Sequence, residues 1–224
     1  MNRILFDMDG VLVDVSRSYR ITVQKTVELF AKQRIGLHEI QSYKNWGSLN
    51  NDWDLTECIL KEKGITIEKE KIISVFQEIY LGNNFNGLIQ NENWLLDLDV
   101  LKKIEEKYAM GIVTGRPRKE ASYALRRFKV ESFFPVLITM DDIPNGKHKS
   151  HPFGIELAMG KLPGLKTYYF GDTIDDMIAA REANAIPIGV INPAGSKNTL
   201  KKLLEDHGAV CVLDDINKIL EVLP

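Results

Sequence analysis

Several kinds of sequence feature are scarce in this chain of 224 residues. Its two cysteines, Cys58 and Cys211, lie far apart, and no histidine or cysteine stands at zinc-ligand spacing from them, which argues against a disulfide framework or a zinc site. No apolar run approaches the length of a membrane span, and none near the N-terminus is long enough for a signal peptide. We therefore expect a cytoplasmic protein with reduced cysteines.

Charge of one sign is not in excess either. The 29 Lys and Arg residues nearly balance the 31 Asp and Glu residues, so the broad basic surface of a nucleic-acid-binding protein is not expected. The composition, 44% hydrophobic and 27% charged, is that of an ordinary globular protein, which at this length favours one domain with an insertion or two small domains. We expect neither a nucleic-acid nor a membrane partner, and leave the oligomeric state open between monomer and dimer.

The first strand of the chain ends in acidic residues. Ile4, Leu5 and Phe6 form a short apolar run, which is followed by Asp7, Asp9 and then a glycine. Because side chains two apart on a strand point the same way, both carboxylates can face the space beyond the sheet edge, where ligands bind in open α/β sheets. Two neighbouring carboxylates raise each other's pKa unless a cation intervenes. A polar exit from the strand is the alternative reading of the same residues.

Residues 15–87 show helical rather than strand-like patterns. We expect three helices: one that begins at Ser16 or Ser18 and ends by Gly36, one over 55–63, and one from about 68 to 82. Residues 41–54 are dense in Asn, Gly, Ser and Trp without helical periodicity, and are predicted to form a loop. The segment 15–87 is therefore predicted to be an all-helical domain inserted after the first strand, with 83–87 as the return hinge.

The remainder alternates strand and helix, which is typical of a parallel sheet. The predicted strands are 110–114, 136–140, 168–171, 186–190 and 209–213, and the predicted helices are 92–107, one from Pro117, 152–160, 174–184, 197–206 and 215–222. Right-handed crossovers would place helices on both faces. The predicted fold class is α/β: a doubly wound, Rossmann-like, mainly parallel sheet formed by residues 1–14 and 88–224, with the helical insertion as a second domain.

Polar side chains follow several of these strands. Carboxyl ends of parallel strands meet at one edge, so these residues are expected to lie together. Carboxylates suit Mg²⁺, a hard cation that often shares its oxygen ligands with a substrate phosphate, and a lysine suits the phosphate itself. The residues in question are Asp7, Asp9, Thr114, Gly115, Arg116 and Asp172, together with a lysine of the basic turn 146–152 before a helix.

Four blocks of sequence carry a family resemblance. They are Asp7-Met-Asp-Gly10, Ile112-Val-Thr-Gly115, Lys149-Ser-His-Pro152 and Gly171-Asp-Thr-Ile-Asp-Asp176, in that order. They resemble the four motifs of the haloacid dehalogenase superfamily of aspartate-nucleophile phosphohydrolases, and the insertion resembles the smaller helical cap of its subfamily IA. The stretches 114–121 and 50–53 resemble a functionally unassigned subgroup. The resemblance covers essentially the whole chain.

The resemblance implies a role for each acid of the first block. Asp7 would attack phosphorus and form an aspartyl-phosphate, which divides one difficult displacement into two easier ones. Asp9 would protonate the leaving oxygen and then deprotonate the water that cleaves the intermediate. Crowding by Asp7 would raise the pKa of Asp9 for this task.

Other residues are expected to contact the phosphoryl group. The resemblance implies that Thr114 and the amide of Gly115 donate hydrogen bonds to phosphoryl oxygens, and that Lys149 offsets the charge of the nucleophile and the phosphate. Lys147 is a competitor for that role, but Lys149 is the better match to the motif. Arg116 is read as a substrate contact, with an exposed loop cation as the alternative.

Carboxylates of the first and fourth blocks are implied as metal ligands. Mg²⁺ would be held by the carboxylates of Asp7 and Asp172 and by the backbone carbonyl of Asp9. Asp176 would be a further ligand or would support the ligands. Asp175 is expected to be a solvated carboxylate in the first turn of a helix.

The loop 41–54 of the cap is expected to select the substrate. Its amides and indoles suit a hydroxyl-rich or ring-bearing organic phosphate, and we single out Lys44, for a second anionic group, and Asn51 as contacts. Alternatively, Trp46 and Trp53 belong to the core of the cap and the asparagines form turns.

These observations favour a Mg²⁺-dependent phosphatase acting on a small phosphorylated metabolite. A sugar phosphomutase could use the same intermediate, but Tyr19 stands where such mutases carry a histidine. Dehalogenase chemistry is disfavoured because it does not need the acid Asp9. A metabolite-binding protein without turnover is the second alternative.

Overall fold

The computed structural model of the chain describes residues 1–45, 51–193 and 197–224. The chain divides into two units, one made of Met1–Asp14 and Trp94–Pro224 and the other of Val15–Asn93. In the described part of the chain, every helix is too short or too polar to cross a bilayer.

A six-stranded parallel sheet forms the centre of the first unit. The strands of the chain are β1 Asn2–Phe6, β2 Val13–Asp14, β3 Asn93–Trp94, β4 Tyr108–Val113, β5 Val136–Ile138, β6 Thr167–Gly171, β7 Ile186–Val190 and β8 Cys211–Leu213. The strand order in the sheet is β5-β4-β1-β6-β7-β8, so β1 lies between β4 and β6. The two short strands β2 and β3 pair separately.

Helices occupy most of the remaining described chain. They are α1 Tyr19–Ala31, α2 Leu37–Asn45, α3 Asp52–Glu62, α4 Lys69–Leu81, α5 Leu98–Glu105, α6 Arg118–Arg127, α7 Phe153–Lys161, α8 Ile174–Glu182 and α9 Lys197–Asp206. Short 3₁₀ turns cover Asn83–Phe85, Leu88–Asn91, Glu131–Phe133, Met140–Asp142 and Ile216–Glu221. The predicted α/β class, with a mainly parallel sheet and a helical insertion, is confirmed.

Strand β1 is buried on both faces. Leu5 packs in a cluster with residues of α7 and α8, such as Ile155 and Ala179. Phe6 points to the opposite face, where its ring stacks on Phe170 at a centroid distance of 5.4 Å. Because both faces are apolar and covered, the polar residues after Phe6 can only lie at the strand's end.

Several boundaries differ from the predictions. The predicted loop at 41–54 is wrong at 41–45, which belong to α2, and at 52–54, which begin α3. In α2, Ile40 and Tyr43 bury their side chains one helical turn apart. Residues 46–50 of that predicted loop, including Trp46, lie outside the described residues. The predicted helix 92–107 is reduced to Leu98–Glu105, and the predicted helix 215–222 is a 3₁₀ turn.

The second unit ends later than the predicted hinge. Ile89 is fully buried, and the turn Leu88–Asn91 packs against α1 and α4, so these residues belong to the helical unit up to Asn93. Periodicity did not reveal this because the turn is too short to show a helical repeat.

A buried carboxylate ties the two ends of the helical unit together. Glu92 is 1% exposed, and its Oε1 accepts hydrogen bonds from the hydroxyls of Ser18 and Tyr80, each at 2.8 Å. We call these three residues the Glu92 cluster. The predicted helix does not begin at Glu92, because the Glu92 side chain is hydrogen-bonded to Ser18, just before α1, and to Tyr80 in α4.

The turn that follows β5 is closed by Asp142. Its carboxylate accepts hydrogen bonds from the backbone N–H of Thr139 at 2.8 Å and from the Thr139 hydroxyl at 2.9 Å, and it pairs with Arg118 at 2.5 Å. Burial works against ionisation, but these partners hold the pKa of Asp142 below its ordinary value. The carboxylate therefore stabilises the folded state while it is charged.

This pairing predicts a pH-dependent stability. Because the folded-state pKa of Asp142 is lowered, its contribution is present above the unfolded-state pKa of about 3.9 and is lost as the pH falls through the folded value. Asp142→Asn is expected to lower the free energy of unfolding by about 1 kcal/mol near neutral pH, as for loss of a cap. Urea unfolding of variant and wild type at about pH 7 and about pH 3 measures the difference, which should shrink at the lower pH.

The exposed carboxylate Asp206 provides the control, since Asp206→Asn should change stability by less than about 0.5 kcal/mol at both pH values. A difference for Asp142→Asn that is the same at both pH values would contradict the prediction.

Candidate active site

Three neighbouring strands deliver polar residues to one edge of the sheet. Asp7 follows β1, Thr114 follows β4 and Asp172 follows β6. The three strands are parallel neighbours, and the N–H of Asp7 continues the ladder by donating to the carbonyl of Phe170 at 2.8 Å. The strand ends therefore bring together residues that are far apart in the chain.

A cluster of carboxylates forms this edge. Asp7, Asp172 and Asp176 each offer an oxygen, and these oxygens lie within 4.8 Å of one another. Burial raises the pKa of Asp7 well above its usual range; the charge of Lys149 opposes this shift, and the neighbouring carboxylates add to it. Oxygen donors crowded in this way fit a hard divalent cation such as Mg²⁺, which would relieve their repulsion.

Lys149 is the cation of the cluster. Its ammonium lies 2.7 Å from Oδ1 of Asp7 and 2.7 Å from Oδ1 of Asp176, with the side chain 14% exposed. Burial disfavours the charged form, but Asp176 and Asp7 outweigh it and raise the pKa of Lys149 well above its usual value. Lys147, the competitor considered from sequence, is exposed, and its ammonium lies over the ring of Phe153. Lys149 is thus the lysine that contacts Asp7.

Protein donors hold Asp176 at both of its oxygens. The Tyr169 hydroxyl donates to Oδ1 at 3.0 Å, and the N–H and hydroxyl of Thr173 donate to Oδ2 at 3.1 and 2.7 Å. Asp176 in turn anchors Lys149, so the structure gives it a supporting role whether or not it also binds metal. The expectation that Asp175 is solvated is wrong: it lies in the first turn of α8 but is only 9% exposed.

Two residues fix the position of Asp172. Gly10 has a φ of +77°, and a Cβ there would lie 2.2 Å from Oδ2 of Asp172, so any side chain would displace the carboxylate. Asn192 donates from Nδ2 to the same oxygen at 2.9 Å. The sequence analysis missed Asn192, although it follows β7 and so carries the same signal, a polar residue after a parallel strand.

The contact from Asn192 gives a test of whether the acidic cluster binds a metal ion. If the cluster binds Mg²⁺, Asn192→Ala is expected to reduce that affinity by about 10- to 100-fold, because residues that orient metal ligands have effects of this size. Thermal unfolding at increasing Mg²⁺ concentration measures that affinity without relying on turnover. Asn198→Ala, on the exposed start of α9, is the matched control. Equal Mg²⁺ affinity in both variants would contradict the assigned role.

The segment after β4 contains the predicted phosphate contacts. Thr114 is buried, and its Oγ1 accepts a hydrogen bond from the N–H of Arg116 at 3.2 Å. Gly115 is exposed, and the space where its Cβ would lie is open to at least 4 Å. Arg116 is 1% exposed, so its reading as an exposed loop cation is wrong. Its Nε lies 2.6 Å from Oδ1 of Asp9, a pairing that the sequence did not predict.

The predicted cap contacts belong to the helical unit. Lys44 lies in α2. Asn51 caps α3, because its side-chain oxygen accepts from the N–H groups of Trp53 at 2.9 Å and Asp54 at 3.3 Å. Contact of Lys44 and Asn51 with a substrate stays a prediction.

Tyr19, which the family resemblance places where mutases carry a histidine, is part of the core of the helical unit. It is 7% exposed and its ring stacks on Tyr80 at a centroid distance of 4.2 Å.

Comparisons with known proteins identify the family of the chain. A family model described as haloacid dehalogenase-like hydrolase matches residues 4–190. The chain is 33% identical, over 99% of its length, to a protein of Phytophthora nicotianae named imidazoleglycerol-phosphate dehydratase, but it covers only 52% of that protein, about half. It is 27% identical to a phosphorylated carbohydrates phosphatase of Thermotoga maritima, with both chains covered in full.

A solved structure shares the fold over the whole chain. This Thermotoga maritima protein, provisionally named beta-phosphoglucomutase, superposes with a TM-score of 0.71 at 22% identity, covering 100% of both chains. At that identity the likeness shows the fold alone. The match of the family model, which spans most of the sequence and includes Asp7, Thr114, Lys149 and Asp172, shows more: the chain belongs to the haloacid dehalogenase-like hydrolase family.

Proposed function

We propose that this chain is a Mg²⁺-dependent phosphatase that hydrolyses a small phosphomonoester through an aspartyl-phosphate on Asp7. The observation that carries the proposal is the ammonium of Lys149, 2.7 Å from Oδ1 of Asp7 at the end of β1. A buried carboxylate tends to take up a proton, and a lysine at this distance favours its ionised form. The ionised form is the one that attacks phosphorus.

Two balanced steps follow from the proposed roles. An oxygen of Asp7 bonds to phosphorus while the bond to the leaving oxygen breaks, and Asp9 gives that oxygen its proton. A water oxygen then attacks the phosphorus of the aspartyl-phosphate, its proton passes to Asp9, and the bond to Asp7 breaks. Both residues return to their starting states. Thr114 and the N–H of Gly115, beside open space, are proposed to hydrogen-bond the phosphoryl oxygens.

The acidic cluster is the proposed metal site. Asp7, Asp172 and the backbone carbonyl of Asp9 would hold Mg²⁺, with Asp176 as a further ligand or as support. Bound Mg²⁺ offsets the negative charge of the phosphoryl group among these carboxylates. Lys149 supplies a fixed positive charge at the same place, so that Asp7 and the phosphate can approach each other.

The substrate class is proposed from the cap and from one relative. Lys44 and Asn51 suit a hydroxylated or ring-bearing phosphate with a second polar or anionic group. The Phytophthora nicotianae relative is named for imidazoleglycerol phosphate, which makes hydroxylated esters with an imidazole ring one class to test. The Thermotoga maritima relative is named for phosphorylated carbohydrates, a second class. A cytoplasmic location stays a prediction.

A panel of phosphomonoesters tests the proposal. The protein is incubated with glycerol phosphates, hexose phosphates and imidazole-bearing phosphate esters, with Mg²⁺ or with a chelator, and released phosphate is measured. We expect Mg²⁺-dependent release that stops with the chelator and returns when Mg²⁺ is restored. Absence of release from every ester, or release that the chelator does not affect, would contradict the proposal.

A phosphomutase is the second candidate, because it would use the same aspartyl-phosphate on Asp7. Tyr19 argues against it, because a buried ring stacked on Tyr80 is occupied in the core of the helical unit. The same panel separates the two: a mutase converts a sugar phosphate to its isomer with little free phosphate. A binding protein without turnover would release and isomerise nothing while still binding an ester.

A further inference from the structure

Arg116 is a buried cation that the proposed reaction leaves without a task. Its Nε lies 2.6 Å and its Nη2 lies 2.5 Å from the same oxygen, Oδ1 of Asp9. The arginine side chain is fully buried, whereas the Asp9 side chain is 31% exposed. One end of this pair is therefore fixed inside the protein, and the other reaches the surface of the site.

The backbone of Arg116 is held on both sides. Its N–H donates to Oγ1 of Thr114 at 3.2 Å, and its carbonyl accepts from the N–H of Met140 at 3.1 Å. These contacts join it to the end of β4 and to the turn Met140–Asp142. The guanidinium therefore extends from an anchored position towards Asp9.

Asp9 lies beyond the end of the six-stranded sheet. It follows β1 by three positions, next to Gly10 with its left-handed φ of +77°, and its backbone forms an isolated bridge with Val13. This bridge fixes the backbone of Asp9 and not its side chain, which can adopt several rotamers, and a general acid acts only when its proton lies within hydrogen-bond reach of the leaving oxygen. The hydrogen bond from Nε and the ion-pair contact of Nη2 restrict that freedom, because the guanidinium is planar and rigid.

Stability alone does not explain the pair. Burying a guanidinium carries a large desolvation penalty, so a buried ion pair is often no more stable than a hydrophobic replacement. We propose that Arg116 is a positioning residue: it holds Oδ1 of Asp9, so that the carboxyl can deliver its proton from Oδ2 to the leaving oxygen. The inference rests on the proposed phosphatase function, and it replaces the reading of Arg116 as a substrate contact.

The two roles of Arg116 differ in how they depend on the leaving group. A residue that binds the phosphoryl group contributes equally to kcat/KM for every leaving group. A residue that positions the general acid contributes to kcat/KM only when the leaving oxygen needs a proton. A 4-nitrophenolate leaves readily without one, whereas phenolate itself leaves poorly.

The experiment compares two esters in the presence of Mg²⁺. We expect Arg116→Met to reduce kcat/KM for phenyl phosphate by about 100-fold, the lower end of what a general acid contributes, and to reduce kcat/KM for 4-nitrophenyl phosphate by about threefold at most. Arg116→Lys, which keeps the charge, should recover part of the loss. Arg118→Met is the matched control: Arg118 is two residues along, pairs with Asp142 and should leave both values unchanged.

A double-mutant cycle connects the effect to Asp9. In an Asp9→Asn background the change at Arg116 should have little further effect on phenyl phosphate, because the group that it positions is gone. Equal losses on both esters, or an undiminished loss in the Asp9→Asn background, would overturn the inference. Should Arg116→Met not fold, Arg116→Lys carries the same comparison. A wild type inactive on both esters and on the full panel would overturn the phosphatase function and this inference together.

Discussion

Asp7→Asn is expected to lower phosphate release by about 10⁴-fold, the scale seen when one member of a hydrolase's catalytic group is removed. The amide has nearly the same shape as the carboxylate, so the end of β1 is expected to keep its structure in this variant. An amide does not attack phosphorus, so the aspartyl-phosphate cannot form. Asp99→Asn, at an exposed carboxylate on α5, is the control and should keep full activity.

Two further measurements make this prediction sharper. Acid-quenched wild-type protein should carry a phosphate that mass spectrometry locates on Asp7, and the variant should carry none. Burial and neighbouring carboxylates raise the folded-state pKa of Asp7, so the metal-free protein should lose stability as the pH rises through that value. The variant cannot ionise there and should lack this loss. Release within about tenfold of wild type would exclude Asp7 as the nucleophile.

Lys149→Met is expected to give the second largest effect, a loss in kcat of about 10²- to 10³-fold, as for removal of one preorganised electrostatic contact. Without the ammonium, Asp7 and Asp176 face each other buried and without their shared cation. Asp7 would then hold a proton more firmly and be a weaker nucleophile.

Lys147→Met is the matched control for this prediction. Lys147 is exposed and its ammonium lies 4.9 Å from the centroid of the Phe153 ring, away from Asp7. Steady-state phosphate release by both variants, with thermal unfolding to establish that each is folded, provides the measurement. Full activity in Lys149→Met with loss in Lys147→Met would reverse the assignment of the two lysines.

The edge of the sheet could be predicted from sequence because strand ends are a local signal. An apolar run that stops at an acid or a threonine indicates where a strand ends, and parallel neighbours bring such ends together. Asp7, Thr114 and Asp172 carry this signal individually. Lys149 does not follow a strand, and its place was implied by the family resemblance alone.

Contacts between individual polar side chains could not be predicted in this way. Arg116 and Asp9 are 107 positions apart, and nothing in the sequence around either residue indicates that the arginine after β4 pairs with the aspartate after β1. Tyr169 lies inside β6 and contacts Asp176 through a hydroxyl hydrogen bond that leaves no pattern in the sequence. Asn192 does follow a strand, but nothing in the sequence indicates that its side chain contacts Asp172. The helical conformation of residues 41–45 was missed because the segment is mostly polar. The two buried side chains of α2 at this point, Ile40 and Tyr43, are too few to show a helical repeat in the sequence.

The Glu92 cluster has a consequence for how the insertion can be exchanged. When a segment is inserted into another domain, its two ends must be held close together, which costs conformational entropy. If nothing within the segment holds its ends together, this cost lowers the stability of the domain that carries the insertion. Here Ser18, at the start of the helical unit, and Glu92, at its end, are joined within that unit, with Tyr80 between them. The helical unit therefore holds its own two ends together. We expect that it could be exchanged between related hydrolases as a single segment.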